Sequence, residues 1–320
     1  MATYRIGIDF GGTNIAVGIC DADQNYRILA KDSVPTAYPR AMDAIIADMA
    51  SLCRKVADKA GVRFEDVASV GIASPGTINS ANAEVEYYCG MSLYNYPLGD
   101  NLAKVLGIGR VCGANDANAA ALAEVMAGAA KGHSDAVMIT LGTGVGGGII
   151  IDGKIYEGAN NAAGELGHTV IVAGGIPCSC GRRGCWEKYA SATGLINIAR
   201  EEMCADPNSK MWALAGGSVA GITGIVPFAA AQDGDEAGKT AVRRYIEYLA
   251  CGIVNLINTF QPEILVIGGG VSAQKENLLA PLREIVKREQ YAKTTTKPTQ
   301  LVIATLGNDA GIIGAAALGE

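Results

Sequence analysis

The chain has 320 residues, 49% of them hydrophobic and 18% charged, which is enough apolar material for full cores and too little charge for a disordered polymer. The charge balance, 26 − 32 = −6, argues against broad nucleic-acid binding, which needs a basic face. Glycine stands out at 42 residues, where average usage would give about 22; without a Gly-X-Y period, the excess marks turns and close backbone approaches.

The opening segment MATYRIGIDF enters a strand with no charged-then-apolar leader. The longest uncharged stretch, 211–232, carries four glycines and Pro227, which argues against a membrane-spanning helix. Nine cysteines, an odd number, argue against a disulfide framework. A cytoplasmic protein with no membrane or nucleic-acid partner is expected.

In chain order, YRIGIDF, IAVGIC and YRILAKDSV form three strands joined by Gly11-Gly12-Thr13 and by the turn 21–25. A helix over 41–60 follows, with Met42, Ile45, Ile46, Met49 and Leu52 on one face. Residues 67–73 form a strand ending at Ser74-Pro75-Gly76. A tyrosine-rich loop, a helix over 98–106 and the short strand RVCGA lead to an alanine-rich helix opened by Asp116.

The opening pattern then returns. AVMITLGTGVGGGIIIDGKIYEG is again strand, Gly-Thr turn, strand, Asp turn, short strand, and 264–272 is a further strand running into glycines. Asn115-Asp116 is echoed by Asn308-Asp309 ahead of the last helix, 309–319, which is expected to pack on the first lobe. This duplication predicts two related α/β domains with a ligand between them. The first lobe is 1–125 plus 306–320, and the second is 126–305.

Residues 142–147 spell G-T-G-V-G-G, but the glycines run into the strand Ile149-Ile150-Ile151 and not a helix, so a dinucleotide fingerprint is excluded on context. The duplicated strand–Gly/Thr–strand hairpins, together with Gly268-Gly269-Gly270, instead favour backbone N–H groups cradling phosphate. The alternative is that the hairpin glycines merely satisfy positive φ. Asp9, just before the first turn, is placed to hold Mg²⁺.

His168, Cys178, Cys180 and Cys185 follow the spacing H-x9-C-x-C-x4-C in a glycine-rich polar loop, which suits a closed, structural Cys₃His zinc site. The other cysteines, 20, 53, 89, 112, 204 and 251, read mostly as small buried hydrophobes. Glu165 and Glu187 bracket the loop and offer fixed acceptors for a hydroxyl-rich ligand. Asp116 and Asp309 both suit helix N-caps. For Asp116, its place after the last strand of the first lobe also suits a base that takes a proton from an attacking hydroxyl.

The set DFGGTN (9–14), SPG (74–76), NDAN (115–118), LGTGVGGG (141–148), GELGH (164–168), CSCGRRGCWE (178–187) and GGGVS (268–272) resembles the ROK family of sugar kinases and repressors along the whole chain. Within it, ASATG (190–194) and GANNAAGELGH look most like the bacterial glucokinases. The resemblance implies an α/β, duplicated ribonuclease-H-like (actin/hexokinase-like) fold, two lobes with a cleft between them, and ATP-dependent phosphorylation of a hexose 6-hydroxyl. It implies Asp116 as catalytic base and Gly76, Thr77, Asn115, Glu165, His168 and Glu187 as further sugar ligands. Asp9, Gly11, Gly12, Thr13, Asn14, Thr143, Gly144, Gly269 and Gly270 would line the Mg-ATP, and a homodimer or tetramer is expected. N-acetylglucosamine, N-acetylmannosamine, fructose, mannose or allose is the alternative substrate. A sugar-sensing regulator is disfavoured because only eight residues precede Asp9. Trp186, Arg182-Arg183 and the segment 89–96 depart from common members, the last lacking their Asn-Leu-x-Trp-like form.

Overall fold

A computed structural model describes residues 2–319. The chain forms two compact units, 1–136 with 148–164 and 305–320, and 137–147 with 165–304.

The first unit begins with β1 (Tyr4–Phe10), β2 (Asn14–Asp21) and β3 (Arg27–Pro35), then α1 (Met42–Ala60) and β4 (Val67–Ser74). A small antiparallel sheet follows, β5 (Thr77–Asn79), β6 (Glu84–Tyr88) and β7 (Leu93–Tyr96), then α2 (Leu98–Leu106), β8 (Cys112–Asn115) and α3 (Asp116–Ala127). Next in the chain come β9 (Ala136–Leu141), β10 (Val145–Ile151) and β11 (Lys154–Ile155). Helices α4 (Glu187–Ala190), α5 (Ala192–Ala205), α6 (Met211–Leu214), α7 (Val226–Gln232) and α8 (Glu236–Phe260) precede β12 (Ile264–Gly268), α9 (Glu276–Glu289), β13 (Gln300–Ile303) and α10 (Ala310–Ala317).

The two large sheets have the orders β3-β2-β1-β4-β8 and β11-β10-β9-β12-β13, the same path traced twice, as the repeated pattern requires. In the first sheet β1 is antiparallel to β2 and parallel to β4, which is parallel to β8. Asp9 pairs with Ala73 and Ser74 with Asn115, so the carboxyl ends of three parallel strands finish at one edge. Ligands in α/β sheets bind at such edges.

Strand alternation builds the core below that edge. Ile6, Ile8, Phe10, Ile15, Val17 and Ile19 are fully buried and cluster with Ile45, Met49 and Cys53 of α1. Helices α10 and α3 pack with β1 and β4. Here the helix backbone itself meets the sheet: a Cβ on Gly7 or Gly71 would lie 1.8 or 1.9 Å from the carbonyl oxygens of Ile312 and Ala315. Likewise a Cβ on Gly314 would lie 1.8 Å from the carbonyl oxygen of Ala119 in α3.

Several expectations need correction. The strand over 264–272 stops at Gly268 and turns into a 3₁₀ segment, Gly270–Gln274. Asp309 does not cap the last helix: it has helical backbone angles and its carboxylate pairs with Lys31 at 2.6 Å. Asp116 is the first residue of α3 as expected, but the N-cap is Asn115 and not Asp116. Cys20 and Cys53 are buried as expected, but Cys89 and Cys204 are exposed. Among the described residues, no helix is long and apolar enough to cross a membrane.

Gly314→Ala should cost about 2 kcal/mol or more, since it overpacks backbone against backbone. Gly109→Ala, where nothing lies within 4 Å of the added carbon, should stay within about 0.5 kcal/mol of the parent. Urea unfolding of the two variants measures both; equal stabilities would contradict the packing account.

Candidate functional site

At the strand edge of the first unit, Asp9 is the last residue but one of β1 and Asp116 begins α3. Asn115 caps α3: its Oδ1 accepts from the N–H groups of Ala117 and Asn118, at 2.9 and 3.4 Å, and its Nδ2 donates to the Gly76 carbonyl at 3.0 Å. One amide therefore fixes both the helix start and the Pro75-Gly76 loop, whose Gly76 needs its positive φ of 92°. With the cap supplied by Asn115, the Asp116 carboxylate is not needed for that purpose. It accepts from the Ala117 N–H at 2.8 Å and stands exposed at the first turn.

Burial, and secondarily the charge of Asp116, push the Asp9 carboxyl up to about 6. A Cβ on Gly311 of α10 would fall 2.6 Å from that carboxylate, so α10 forms its floor. A half-buried carboxylate under the charge of an exposed one forms a donor set whose repulsion a cation relieves.

Gly11, Gly12, Thr13 and Asn14 form the turn after Asp9, with Gly12, Thr13 and Asn14 exposed. The Gly11 N–H bonds the Asn14 carbonyl at 2.9 Å. Buried Thr36 holds the turn from beneath, its hydroxyl donating to the Gly11 carbonyl at 2.7 Å and its N–H to the Thr13 carbonyl. Neither Gly11 nor Gly12 has positive φ, and neither do Gly142 and Gly144 in the second turn. The conformational reading of these glycines is therefore excluded; another residue's side chain comes close at Gly12 and Gly144, while nothing lies within 4 Å of a Cβ on Gly142.

In the second unit that approach is visible at Gly144, where a Cβ would lie 2.2 Å from Oε2 of Glu187. The same oxygen accepts from the Val145 N–H at 3.1 Å. The Ala192 N–H bonds the Gly142 carbonyl at 2.8 Å, and the Thr193 hydroxyl donates to the Thr143 carbonyl at 2.9 Å. Thr193 thus serves the second turn as Thr36 serves the first. Gly269 and Gly270 follow β12, and Gly269 has φ 83°.

His168, Cys178, Cys180 and Cys185 come together, with one ligand atom from each within 4.8 Å of every other. Cys178 Sγ is 3.5 Å from His168 Nδ1, and Cys180 Sγ is 3.6 Å from Cys185 Sγ. A tetrahedral zinc with bonds of about 2.3 Å separates its sulfurs by about 3.8 Å, so this donor set fits it. Burial pushes the Cys178 thiol up, but hydrogen bonds from Cys180, Cys185 and His168 outweigh it and bring the thiol down to about 7. The ring presents Nδ1 to the cysteines and Nε2 to Glu165, whose Oε2 is 4.0 Å away.

The two departures in this loop now have places. Arg182 donates to the His168 carbonyl at 3.0 Å. Trp186 is fully buried, donates from its ring nitrogen to the Tyr248 carbonyl at 2.9 Å, and lies on Gly252 of α8. It anchors the cysteine loop to the longest helix.

Thr36, Tyr88 and Thr193 were not singled out by the sequence. Thr193 lies in the ASATG segment, but nothing in its spacing connects it to Thr143, fifty residues away.

A model of the ROK family matches residues 5–320, and the chain belongs to that family. It is 36% identical over 316 residues to the glucokinase of Streptomyces coelicolor, covering 98% of this chain and 96% of the other. It is 31% identical over 315 residues to the N-acetylmannosamine kinase of Salmonella heidelberg, covering 98% of each. The crystal structure of a ROK family glucokinase from Streptomyces griseus, in complex with glucose and AMPPNP, matches with a TM-score of 0.78 at 36% identity, covering 98% of each chain.

Because the Asp116 charge helps to raise Asp9, Asp116→Asn should lower the Asp9 pKa from about 6, while burial, the larger cause, keeps it above the ordinary 3.8. An NMR titration of the Asp9 carboxyl carbon, without nucleotide or metal, measures this. An unchanged or higher value would contradict the pairing.

Proposed function

We propose that the chain is an ATP-dependent hexokinase that phosphorylates the 6-hydroxyl of glucose. The observation that carries this reading is the Asp9–Asp116 pair beside the open turn 11–14, in a chain with ROK membership over its full length. The likeness to glucokinases over nearly the whole chain supports glucose as the sugar.

Asp116 is the general base. As the sugar oxygen attacks the γ-phosphorus, its proton passes to the Asp116 carboxylate, the new O–P bond forms, and the bond from the γ-phosphorus to the β-γ bridging oxygen breaks, with ADP departing. Because Asn115 supplies the helix cap, closing the helix start does not depend on the Asp116 carboxylate. Asn115, Gly76, Thr77, Glu165, His168 and Glu187 are the sugar ligands. Gly11, Gly12, Thr13, Asn14, Thr143, Gly144, Gly269 and Gly270 meet the nucleotide.

Asp9 is the residue that would hold Mg²⁺, which neutralises phosphate charge when bound. His168, Cys178, Cys180 and Cys185 would hold a structural zinc, which fixes the loop carrying Glu165 and Glu187. With Nδ1 on the metal, the Nε2–H of His168 is left as a donor to a sugar oxygen. A homo-oligomer and a cytoplasmic role in hexose use complete the proposal.

A second reading, a ROK kinase acting on an N-acetylhexosamine, fructose, mannose or allose, is favoured by one observation: residues 89–96 depart from the common pattern. An ADP-release assay across glucose, mannose, fructose, allose, N-acetylglucosamine and N-acetylmannosamine separates the two. Glucose should give the highest kcat/KM, and a preference for another sugar would replace the first reading with the second.

Asp116→Asn should lower kcat by about a hundredfold or more with sugar binding retained. A rate above about a tenth of the parent would remove Asp116 from that role. Metal analysis should find about one zinc per chain, and Cys180→Ser should lose it together with glucose binding. A zinc-free, fully active preparation would contradict the site.

A further inference from the structure

The segment that departs from the family pattern follows a residue with no role so far. Tyr87 and Tyr88 end β6 on opposite sides of the strand. Tyr87 is exposed and packs at a tilt against Tyr94 of β7, with ring centroids 5.5 Å apart. Tyr88 turns the other way and packs partly against the core.

Three close approaches fix its ring. The Cys89–Met91 turn folds Gly90 over the phenol, where a Cβ would lie 2.5 Å from Oη and 2.6 Å from Cε2 and Cζ. A Cβ on Gly76 would lie 3.0 Å from the Tyr88 Cβ, so the base of the side chain rests on the proposed sugar loop. At the other end, a Cβ on Gly12 would lie 2.9 Å from Oη, and that oxygen is the one atom within 4 Å of it. The phenol therefore reaches from Gly76 to Gly12, from the proposed sugar loop to the proposed phosphate turn. Burial, then Cys89 and Asp116, raise the phenol above its ordinary range, so it stays a neutral O–H donor. The charge of Asp116 is felt at the hydroxyl.

We propose that Tyr88 is a catalytic residue whose hydroxyl donates a hydrogen bond to an oxygen of the phosphoryl group in transfer, beside Gly12. This rests on the phosphoryl-transfer reading above. No proton leaves the phenol: the O–H orients the group and offsets charge that grows on its oxygens in the transition state. The glycines at 12 and 90 are what admit the ring; a side chain at either would displace it. A donor already held in place before substrate arrives costs no reorganisation during the reaction.

The test is steady-state kinetics of wild type, Tyr88→Phe and Tyr87→Phe with the preferred hexose and ATP. Tyr88→Phe keeps the ring that fills the space over Gly90 and removes only the hydroxyl. It should lower kcat by about tenfold to a hundredfold, leave both KM values within about threefold, and keep the thermal midpoint of wild type. Tyr87→Phe, on the exposed face, should match wild type. A Tyr88→Phe kcat within twofold of wild type would overturn the proposal. So would a raised hexose KM at unchanged kcat, which would place the hydroxyl on the bound sugar and not on the moving phosphoryl group. A wild-type chain that turns over no hexose would instead overturn the kinase reading itself.

Discussion

The first unit depends on a contact made without side chains. Helix α10 lies with its backbone against β1 and β4 at Gly7 and Gly71, and against α3 at Gly314. Backbone packed this closely fixes helix position within fractions of an ångström, because no rotamer can absorb a shift. The same helix carries Gly311, which sits under the Asp9 carboxylate. Helix α3, pressed on α10, carries Asp116 at its first turn. The separation of the two carboxylates is thus set by main-chain contact, and the influence of the Asp116 charge on Asp9 follows from it.

The second unit achieves the same with a ligand cluster. The cysteine loop is held at one side by Trp186 in the core and at its centre by a donor set suited to zinc. Glu187 follows immediately and bonds the Val145 N–H, while Ala192 and Thr193 bond the carbonyls of Gly142 and Thr143. Folding the cysteine loop therefore also shapes the glycine turn. In both units a threonine hydroxyl occupies a turn carbonyl, which leaves the turn's outer face for a ligand.

Much of this was legible in the sequence because it is local or repeated. The three opening strands, the helix found at Met42–Ala60 and the second copy of the strand pattern follow from periodicity and turn residues. The Cys₃His cluster followed from spacing. What was not legible is long-range. Two adjacent residues, Asn115 and Asp116, are both good caps, and in the fold Asn115 takes the cap while its amide also bonds the Gly76 carbonyl. Asp309 read as a cap, but Lys31 on β3 takes its carboxylate. Thr36, Thr193 and Tyr88 meet their turns only through the tertiary fold, so no pattern along the chain marks them. The glycines drew attention by number; what they admit, the Glu187 carboxylate and the Tyr88 phenol, became visible only in three dimensions.

The central claim is direct transfer of a phosphoryl group to a sugar hydroxyl whose proton goes to Asp116, with neither aspartate acting as nucleophile. The most direct measurement is the stereochemical course of the reaction, using ATP made chiral at its γ-phosphorus with oxygen isotopes. A single in-line displacement predicts inversion of configuration in the hexose phosphate. Retention would show two displacements through a phosphorylated group of the enzyme and would contradict the account.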